Sequence, residues 1–122
     1  MDKFLIVMLG GGIGALLRYF ITLLFKKVFP AQHYATFVVN ITGCFLLGIL
    51  VSGIMIKSDS AEALFLITGI IGSYTTFSTF EYENIDLIAH ERYISFLKYV
   101  TYSCICGVTA VLAGILSARF FF

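Results

Sequence analysis

The sequence predicts an all-α integral membrane protein, and two observations carry that prediction. Of the 122 residues, 60% are hydrophobic and only 12% are charged, and the mean hydropathy is +1.00. The apolar residues also fall into four long runs that are separated by short polar turns. Because a soluble domain of this size keeps far more charge on its surface, the lipid bilayer is the environment that fits this composition.

Each apolar run is close to the ~20 residues that a membrane-spanning helix requires. The expected spans are residues 4–25, 34–56, 61–89 and 95–119, which make residues 1–122 one four-helix domain. Small residues such as Gly10 and Gly14 recur at the spacing that lets helices pack closely. The first run has no small-residue cleavage site behind a short core, so we expect a span and not a removable signal. The chain is expected to be a multi-pass protein of the cell membrane.

The bias of Lys and Arg that sets the orientation of membrane proteins is almost absent. Arg18 lies inside the first span, and the other basic residues divide three against four: Lys3, Lys57 and Arg119 on one side, and Lys26, Lys27, Arg92 and Lys98 on the other. A chain with so little preference can insert both ways up, and two such chains can pair antiparallel. A single orientation set by context is the alternative. Because four helices alone enclose little, we expect a homodimer.

Composition also excludes several classes of function. The net charge is +1 and there is no basic cluster, so we expect no basic surface that could bind nucleic acid. Cys44, Cys104 and Cys106 lie in apolar runs without metal-ligand spacing, so we interpret them as small core residues. No Ser/His/Asp set and no phosphate-binding loop occurs. We therefore expect neither catalysis nor a nucleic-acid partner.

The third run contains GIIGSYTTFSTF, from Gly69 to Phe80, where an ordinary span would be continuously apolar. We expect a broken helix whose first half ends at Gly69 and Gly72 and whose second half begins near Thr76. Broken backbone at membrane depth persists only where it is buried in protein, lines a cavity or holds an ion. Half-helices at the midplane present carbonyls to cations and N–H groups to anions. The pattern therefore indicates an ion site, with a simple glycine kink patched by hydroxyls as the alternative.

Aromatic and hydroxyl side chains follow the expected break. Phe77 and Phe80 are three positions apart and share one helical face, while Thr76 and Thr79 lie on a neighbouring face. An aromatic ring has a positive edge, so it can meet an anion without carrying a formal charge. Ordinary core packing is the alternative for the two phenylalanines.

Other spans contribute isolated polar residues. Asn40, in FVVNITG, either lines a pore or joins helices. For Arg18 we favour a lipid headgroup or a water-filled vestibule over direct binding of an anion. Tyr99, Ser103 and Gly107 form one stripe of the fourth span, whose hydroxyls either guide an ion or bond to their own helix.

Three acidic residues follow the same motif: Glu81, Glu83 and Asp86. Carboxylates that lined the path of an anion would repel it. We therefore expect all three to face away from the path or to lie at its rim.

Three motifs together resemble the CrcB/Fluc fluoride channel family: GGGIGALLRYF in the first span, VVNITGCFLLG from Val38 to Gly48, and GIIGSYTTFSTF in the third span. The resemblance covers all four spans in order. It implies a dual-topology homodimer with two antiparallel pores, and a structural sodium ion buried at the centre of the dimer.

The resemblance also implies roles for individual residues. The sodium ligands would be the backbone carbonyls of Gly72 and Thr75 from both subunits. Phe77 and Phe80 would be the family's phenylalanine pair, Asn40 its pore asparagine and Arg18 its first-helix arginine. The family's polar track would fall on Ser78, Thr79, Tyr99 and Ser103. Gly107 stands where some members carry another hydroxyl.

The implied activity is passive export of fluoride. Hydrogen fluoride crosses membranes as the neutral acid and ionises in the cytoplasm, so a channel lets the trapped anion leave down its gradient. A proton-coupled exporter like the small multidrug transporters is the runner-up, and it requires a carboxylate buried within the membrane. A noncatalytic packing protein is a third possibility, which explains the glycines but not the clustered hydroxyls and phenylalanines.

Overall fold

Four helical spans, arranged as two closely packed pairs, make up the protein. The computed structural model describes residues 2–29, 33–53 and 60–121. The helices are α1 (Asp2–Val28), α2 (His33–Gly53), α3 (Ala61–Ala63, Leu64–Ile71 and Gly72–Tyr74 in succession), α4 (Phe77–Ala89) and α5 (Tyr93–Phe121). Within these residues four stretches are long and apolar enough to cross a membrane, with α3 and α4 together forming one of them, which confirms the prediction of four spanning helices. The expected end of the second span at residues 54–56, and Lys57, lie outside the described residues.

The first close pair is α1 with α3, and glycines allow its contact. A Cβ atom on Gly10 would collide with the carbonyl oxygen of Phe65, and one on Gly14 would collide with that of Ile70. A Cβ atom on Gly69 would stand 2.9 Å from Cα of Gly10. The contacts advance together along both helices, so α1 and α3 run parallel. The close packing expected from the spacing of Gly10 and Gly14 is confirmed.

The second close pair is α2 with α5, which also run parallel. A Cβ atom on Gly48 would collide with the carbonyl oxygen of Val111, and one on Gly114 with that of Phe45. Gly107 differs, because the atom nearest to its missing Cβ is Sγ of Cys44 at 3.7 Å. The side chains around Gly107 therefore leave space for a residue larger than glycine.

The third span is broken, as predicted, but not at its glycines. Its first half contains an eight-residue π-helix, Leu64–Ile71, and remains helical through Gly72, which has φ −60° and ψ −32°. The backbone becomes extended at Thr75 (ψ 158°) and Thr76 (φ −148°, ψ 121°). The prediction that Gly69 and Gly72 end the half-helix was therefore wrong. Gly69 instead allows α3 to pack closely against α1, because it has no side chain.

Apolar side chains cover the outside of the bundle. Leu16 on α1 and Ile94 on α5 are 70% and 72% exposed. Within a bilayer such side chains contact lipid, while the backbone polar groups of the helices are satisfied internally.

Candidate functional site

Hydroxyl groups satisfy part of the backbone that the break releases. Thr76 is the N-cap of α4, and its Oγ1 accepts a hydrogen bond of 3.2 Å from the N–H of Thr79. On the other side of the break, Oγ1 of Thr75 donates to the carbonyl oxygen of Ile71 over 3.0 Å. The Thr76 hydroxyl thus replaces the helical acceptor of the Thr79 N–H, whereas the carbonyl oxygen of Ile71 also keeps its helical bond from the N–H of Thr75.

Asn40, a residue of α2, bonds to both polar groups of the Thr76 backbone. Its Oδ1 accepts from the N–H of Thr76 at 2.8 Å, and its Nδ2 donates to the carbonyl oxygen of Thr76 at 3.0 Å. A backbone N–H is only a donor, so the amide oxygen must face it and the orientation of the amide is unambiguous. An amide nitrogen carries two hydrogens, and Thr76 accepts one of them. Asn40 therefore ties α2 to the break and also lines a cavity beside it.

The same bonds release the carbonyl groups of Gly72 and Thr75. In an α-helix these two oxygens would accept from the N–H groups of Thr76 and Thr79, four positions later. Those N–H groups instead donate to Asn40 and to the Thr76 hydroxyl. Unwound carbonyls of this kind coordinate alkali cations at the midplane of membrane proteins. Within the described residues no group of three or more His, Cys, Asp or Glu is placed to hold a metal ion.

Two cavities meet at Thr76. The phenylalanine cavity has a volume of about 370 Å³, and the arginine cavity has a volume of about 310 Å³. The phenylalanine cavity is lined by Asn40, Ile41, Gly43, Cys44, Leu47, Ile71, Thr75, Thr76, Phe77, Phe80, Ser103, Cys104 and Gly107. The arginine cavity is lined by Ala15, Arg18, Tyr19, Thr22, Thr36, Val39, Thr76 and Thr79. Since Thr76 belongs to both walls, the extended residue of the break stands between a cationic cavity and an aromatic one.

The two phenylalanines of the motif lie side by side. Their ring centroids are 6.2 Å apart and the ring planes are inclined by 36°. Phe80 also contacts the ring of Tyr99, at a centroid distance of 5.0 Å. Phe77, in contrast, is 74% exposed. One wall of the phenylalanine cavity therefore ends in a large aromatic side chain that the described residues leave mostly exposed.

Some of the predicted track residues lie outside these cavities. The hydroxyl of Tyr99 donates to Oε2 of Glu83 over 2.8 Å, and Ser78 is exposed with its hydroxyl 3.3 Å from Oγ1 of Thr76. Gly72 is likewise not among the lining residues, although Thr75 is. Ser103 does line the phenylalanine cavity, and its buried Oγ has no hydrogen-bond partner in the part of the chain that the structure describes.

Glu83 lines neither cavity, but it is buried in the bundle, which the sequence did not predict. It is only 6% exposed, and its Oε1 accepts a 2.8 Å hydrogen bond from Oγ1 of Thr36, a residue of the arginine cavity. The carboxylate tolerates burial because Thr36 and Tyr99 each donate to one of its oxygens. Asp86 is exposed, as expected, and Glu81 is half-buried.

A helical pattern in the sequence could have located Glu83. It lies two turns after Thr76 and one turn after Thr79, so it continues the stripe of hydroxyls on α4. Thr36 lies four residues before Asn40, which places the two side chains on the same face of α2.

Comparison with known proteins identifies the family of this chain. The family described as CrcB-like protein, Camphor Resistance (CrcB), matches residues 5–115. A protein of Azobacteroides pseudotrichonymphae named Fluoride-specific ion channel FluC is 40% identical, over 99% of both chains. Fluoride-specific ion channel FluC of Flavobacterium psychrophilum is 40% identical over 93% of this chain and 94% of its own. Fluoride-specific ion channel FluC 1 of Listeria innocua is 42% identical over 93% of this chain and 95% of its own. With a family match across nearly all of its length and a break built from the same motifs that suggested the resemblance, this multi-pass membrane protein belongs to the CrcB-like family.

Proposed function

We propose that this protein is a fluoride-selective passive channel that lets fluoride leave the cytoplasm. The observation that carries the proposal is that Thr76 belongs to the walls of both cavities, one beside Arg18 and the other beside Asn40 and Phe80. The names of the relatives support fluoride as the ion. No energy source is needed, since the anion moves down its electrochemical gradient.

Fluoride is small and strongly hydrated, so a selective path must replace its water with closely spaced donors. The second N–H of Asn40 and the hydroxyls of Thr79 and Ser103 are donors that border the cavities. The rings of Phe77 and Phe80 add positive edges, and α4 begins at Phe77 with the positive end of its helix dipole. In this scheme Arg18 raises the local concentration of anions in the arginine cavity without binding one tightly.

The functional unit is an antiparallel homodimer with two pores. Phe77 is exposed beside an open cavity, and a second copy of the chain would cover it and complete the wall. The basic residues divide three against four between the two sides of the membrane, so their charge does not oppose insertion in both orientations.

A sodium ion at the centre of this dimer would be held by the carbonyl oxygens of Gly72 and Thr75 from both subunits. The fit rests on the diversion of the N–H groups of Thr76 and Thr79, which leaves these oxygens without their helical donors. When bound, the cation supplies positive charge where half-helices of the two subunits end, at the negative ends of their dipoles. Its role is structural, because it holds the break in one conformation.

Flux measurements on the purified protein in liposomes test the channel. Fluoride efflux and chloride efflux are followed with ion-selective electrodes under a potassium gradient, with valinomycin and without a pH gradient. We expect rapid loss of fluoride with chloride retained. Equal flux of both anions, or no flux of either, would contradict the proposal.

Burial of Glu83 is the observation that favours the second candidate, a proton-coupled exporter. Such a transporter trades a proton for its substrate at a buried carboxylate, and Glu83 is one. Both of its oxygens already accept hydrogen bonds from this chain, which favours a structural carboxylate over one that binds a cationic substrate. Drug-stimulated proton flux in the same liposomes distinguishes the exporter from the channel.

A further inference from the structure

Three nearby residues of α2 hold the residues on both sides of the break. Asn40 bonds to the backbone of Thr76, as described above. Gly43 lies against Thr75, because a Cβ atom at this position would collide with Cγ2 of that side chain. Between them, Oγ1 of Thr42 is 2.8 Å from the hydroxyl oxygen of Tyr74. Neither Tyr74 nor Thr42 lines a cavity of the proposed path, so the path does not account for this bond.

The direction of the bond between Thr42 and Tyr74 follows from counting protons. A threonine hydroxyl has one proton, and that of Thr42 is donated to the carbonyl oxygen of Val38 over 2.7 Å. The hydroxyl of Tyr74 is therefore the donor and Oγ1 of Thr42 is the acceptor. Tyr74 is only 6% exposed, so its hydroxyl would lose its partner in a buried place if Thr42 lost its oxygen.

We infer that Tyr74 is a positioning residue for a sodium ion at the break, an inference that rests on the proposed function. Tyr74 is the last residue of α3, and the next residue carries the Thr75 carbonyl. The side chain of Tyr74 is anchored twice on α2: its hydroxyl bonds to Thr42, and its Cδ1 lies 3.4 Å from where a Cβ on Gly43 would stand. With both anchors in place the last turn of α3 cannot rotate, and the direction of the Thr75 carbonyl is set.

This role separates cation binding from anion passage. Removing the hydroxyl of Tyr74 leaves Asn40, Phe80 and Ser103 untouched, because Tyr74 is not part of either cavity wall. The affinity for sodium therefore depends on Tyr74, while the selectivity for fluoride does not.

Sodium titration of the intact protein, comparing the wild type with Tyr74→Phe, tests this inference. Thermal unfolding and the fraction of dimer are measured in detergent as sodium replaces N-methyl-D-glucamine at constant ionic strength. We expect Tyr74→Phe to require about three- to tenfold more sodium for half-maximal stabilisation, as loss of one neutral hydrogen bond predicts. Its ratio of fluoride to chloride flux should equal that of the wild type. Thr109→Val is the matched control, because among the described residues the Thr109 hydroxyl bonds only to Ile105 and Cys106 of its own helix.

The possible outcomes separate the inference from the proposed sodium site. A sodium midpoint in Tyr74→Phe equal to that of the wild type overturns the inference alone. A wild type that does not respond to sodium overturns the cation site, and the inference with it. If Tyr74→Phe does not assemble, Thr42→Val and Thr42→Ser carry the test: serine keeps the acceptor oxygen and should retain the wild-type midpoint, whereas valine should raise it. Equal midpoints in these two variants would overturn the inference as well.

Discussion

Asn40 is hydrogen-bonded to both polar groups of the Thr76 backbone, at 2.8 Å through its amide oxygen and at 3.0 Å through its amide nitrogen. The amide oxygen of this α2 side chain thus replaces the helical acceptor of the Thr76 N–H at the point where the third span breaks. The same amide borders the phenylalanine cavity. The conformation of the break and the chemistry of the proposed path therefore depend on a single residue.

Replacing Asn40 separates these two tasks. Asn40→Ala leaves both backbone groups of Thr76 without this partner, so we expect the free energy of unfolding to fall by about 1–3 kcal/mol and fluoride efflux to be lost. Asn40→Asp keeps an acceptor for the N–H of Thr76 but has no amide N–H and adds negative charge. We expect it to assemble as a dimer in size-exclusion chromatography and to conduct no fluoride. Wild-type flux through Asn40→Asp would show that the amide N–H does not serve the anion.

Replacing the phenylalanine rings tests their positive edges. Phe80→Met and Phe77→Ile retain apolar bulk but remove the ring quadrupole, so fluoride efflux from liposomes should fall sharply while the dimer persists. Phe20→Ile is the control, since Phe20 is 59% exposed on α1 and lines neither cavity. Normal efflux in both test variants would remove the role proposed for the ring edges.

Neutralising the buried carboxylate distinguishes a channel from a proton-coupled exporter. Glu83→Gln keeps the shape of the side chain but weakens the hydrogen bonds from Thr36 and Tyr99, so the free energy of unfolding should fall by about 1–3 kcal/mol. Fluoride efflux should persist, because a passive channel transfers no proton. The control Asp86→Asn changes an exposed carboxylate and should leave both quantities as in the wild type. Loss of all transport in Glu83→Gln, with the dimer intact, would favour the exporter.

The contact between α1 and α3 predicts opposite effects at two neighbouring glycines. Gly14→Ala drives its Cβ against the carbonyl oxygen of Ile70, and we expect it to destabilise the protein by about 1–3 kcal/mol. Gly12→Ala meets nothing within 4 Å and should be neutral or stabilise the helix by up to about 1 kcal/mol. Thermal unfolding in detergent measures both. Equal melting temperatures for the two variants would argue against the close approach of these helices.

The spans and the existence of the break were predictable from sequence, because the length of an apolar run and the intrusion of hydroxyls into it are local signals. The position of the break was not predictable from its glycines. Gly69 is used for contact with α1 and Gly72 stays helical, whereas the backbone leaves the helix at Thr75 and Thr76, where Asn40 supplies replacement bonds. The start of the second half near Thr76 was predicted correctly, whereas the end of the first half depends in part on Asn40 of another helix and was not.

The burial of Glu83 was not predicted, for a related reason. The expectation weighed only the repulsion between a carboxylate and an anion and did not include partners for the carboxylate. Thr36 and Tyr99 come from α2 and α5, and they meet Glu83 only in the folded bundle. Tyr99 was assigned to the polar track by its spacing on the fourth span and by the family resemblance, whereas its hydroxyl donates to Glu83.

Space beside Gly107 makes one wall of the phenylalanine cavity adjustable. The nearest atoms to a Cβ at this position, Sγ of Cys44 and Cδ1 of Ile41, are 3.7 and 4.0 Å away, so small side chains enter without repacking α2 against α5. A small side chain at position 107 therefore causes little steric conflict. A single substitution there would change the width of the phenylalanine cavity. Variants at position 107 can be selected for growth in fluoride, and we expect some of them to differ from the wild type in their preference among halides.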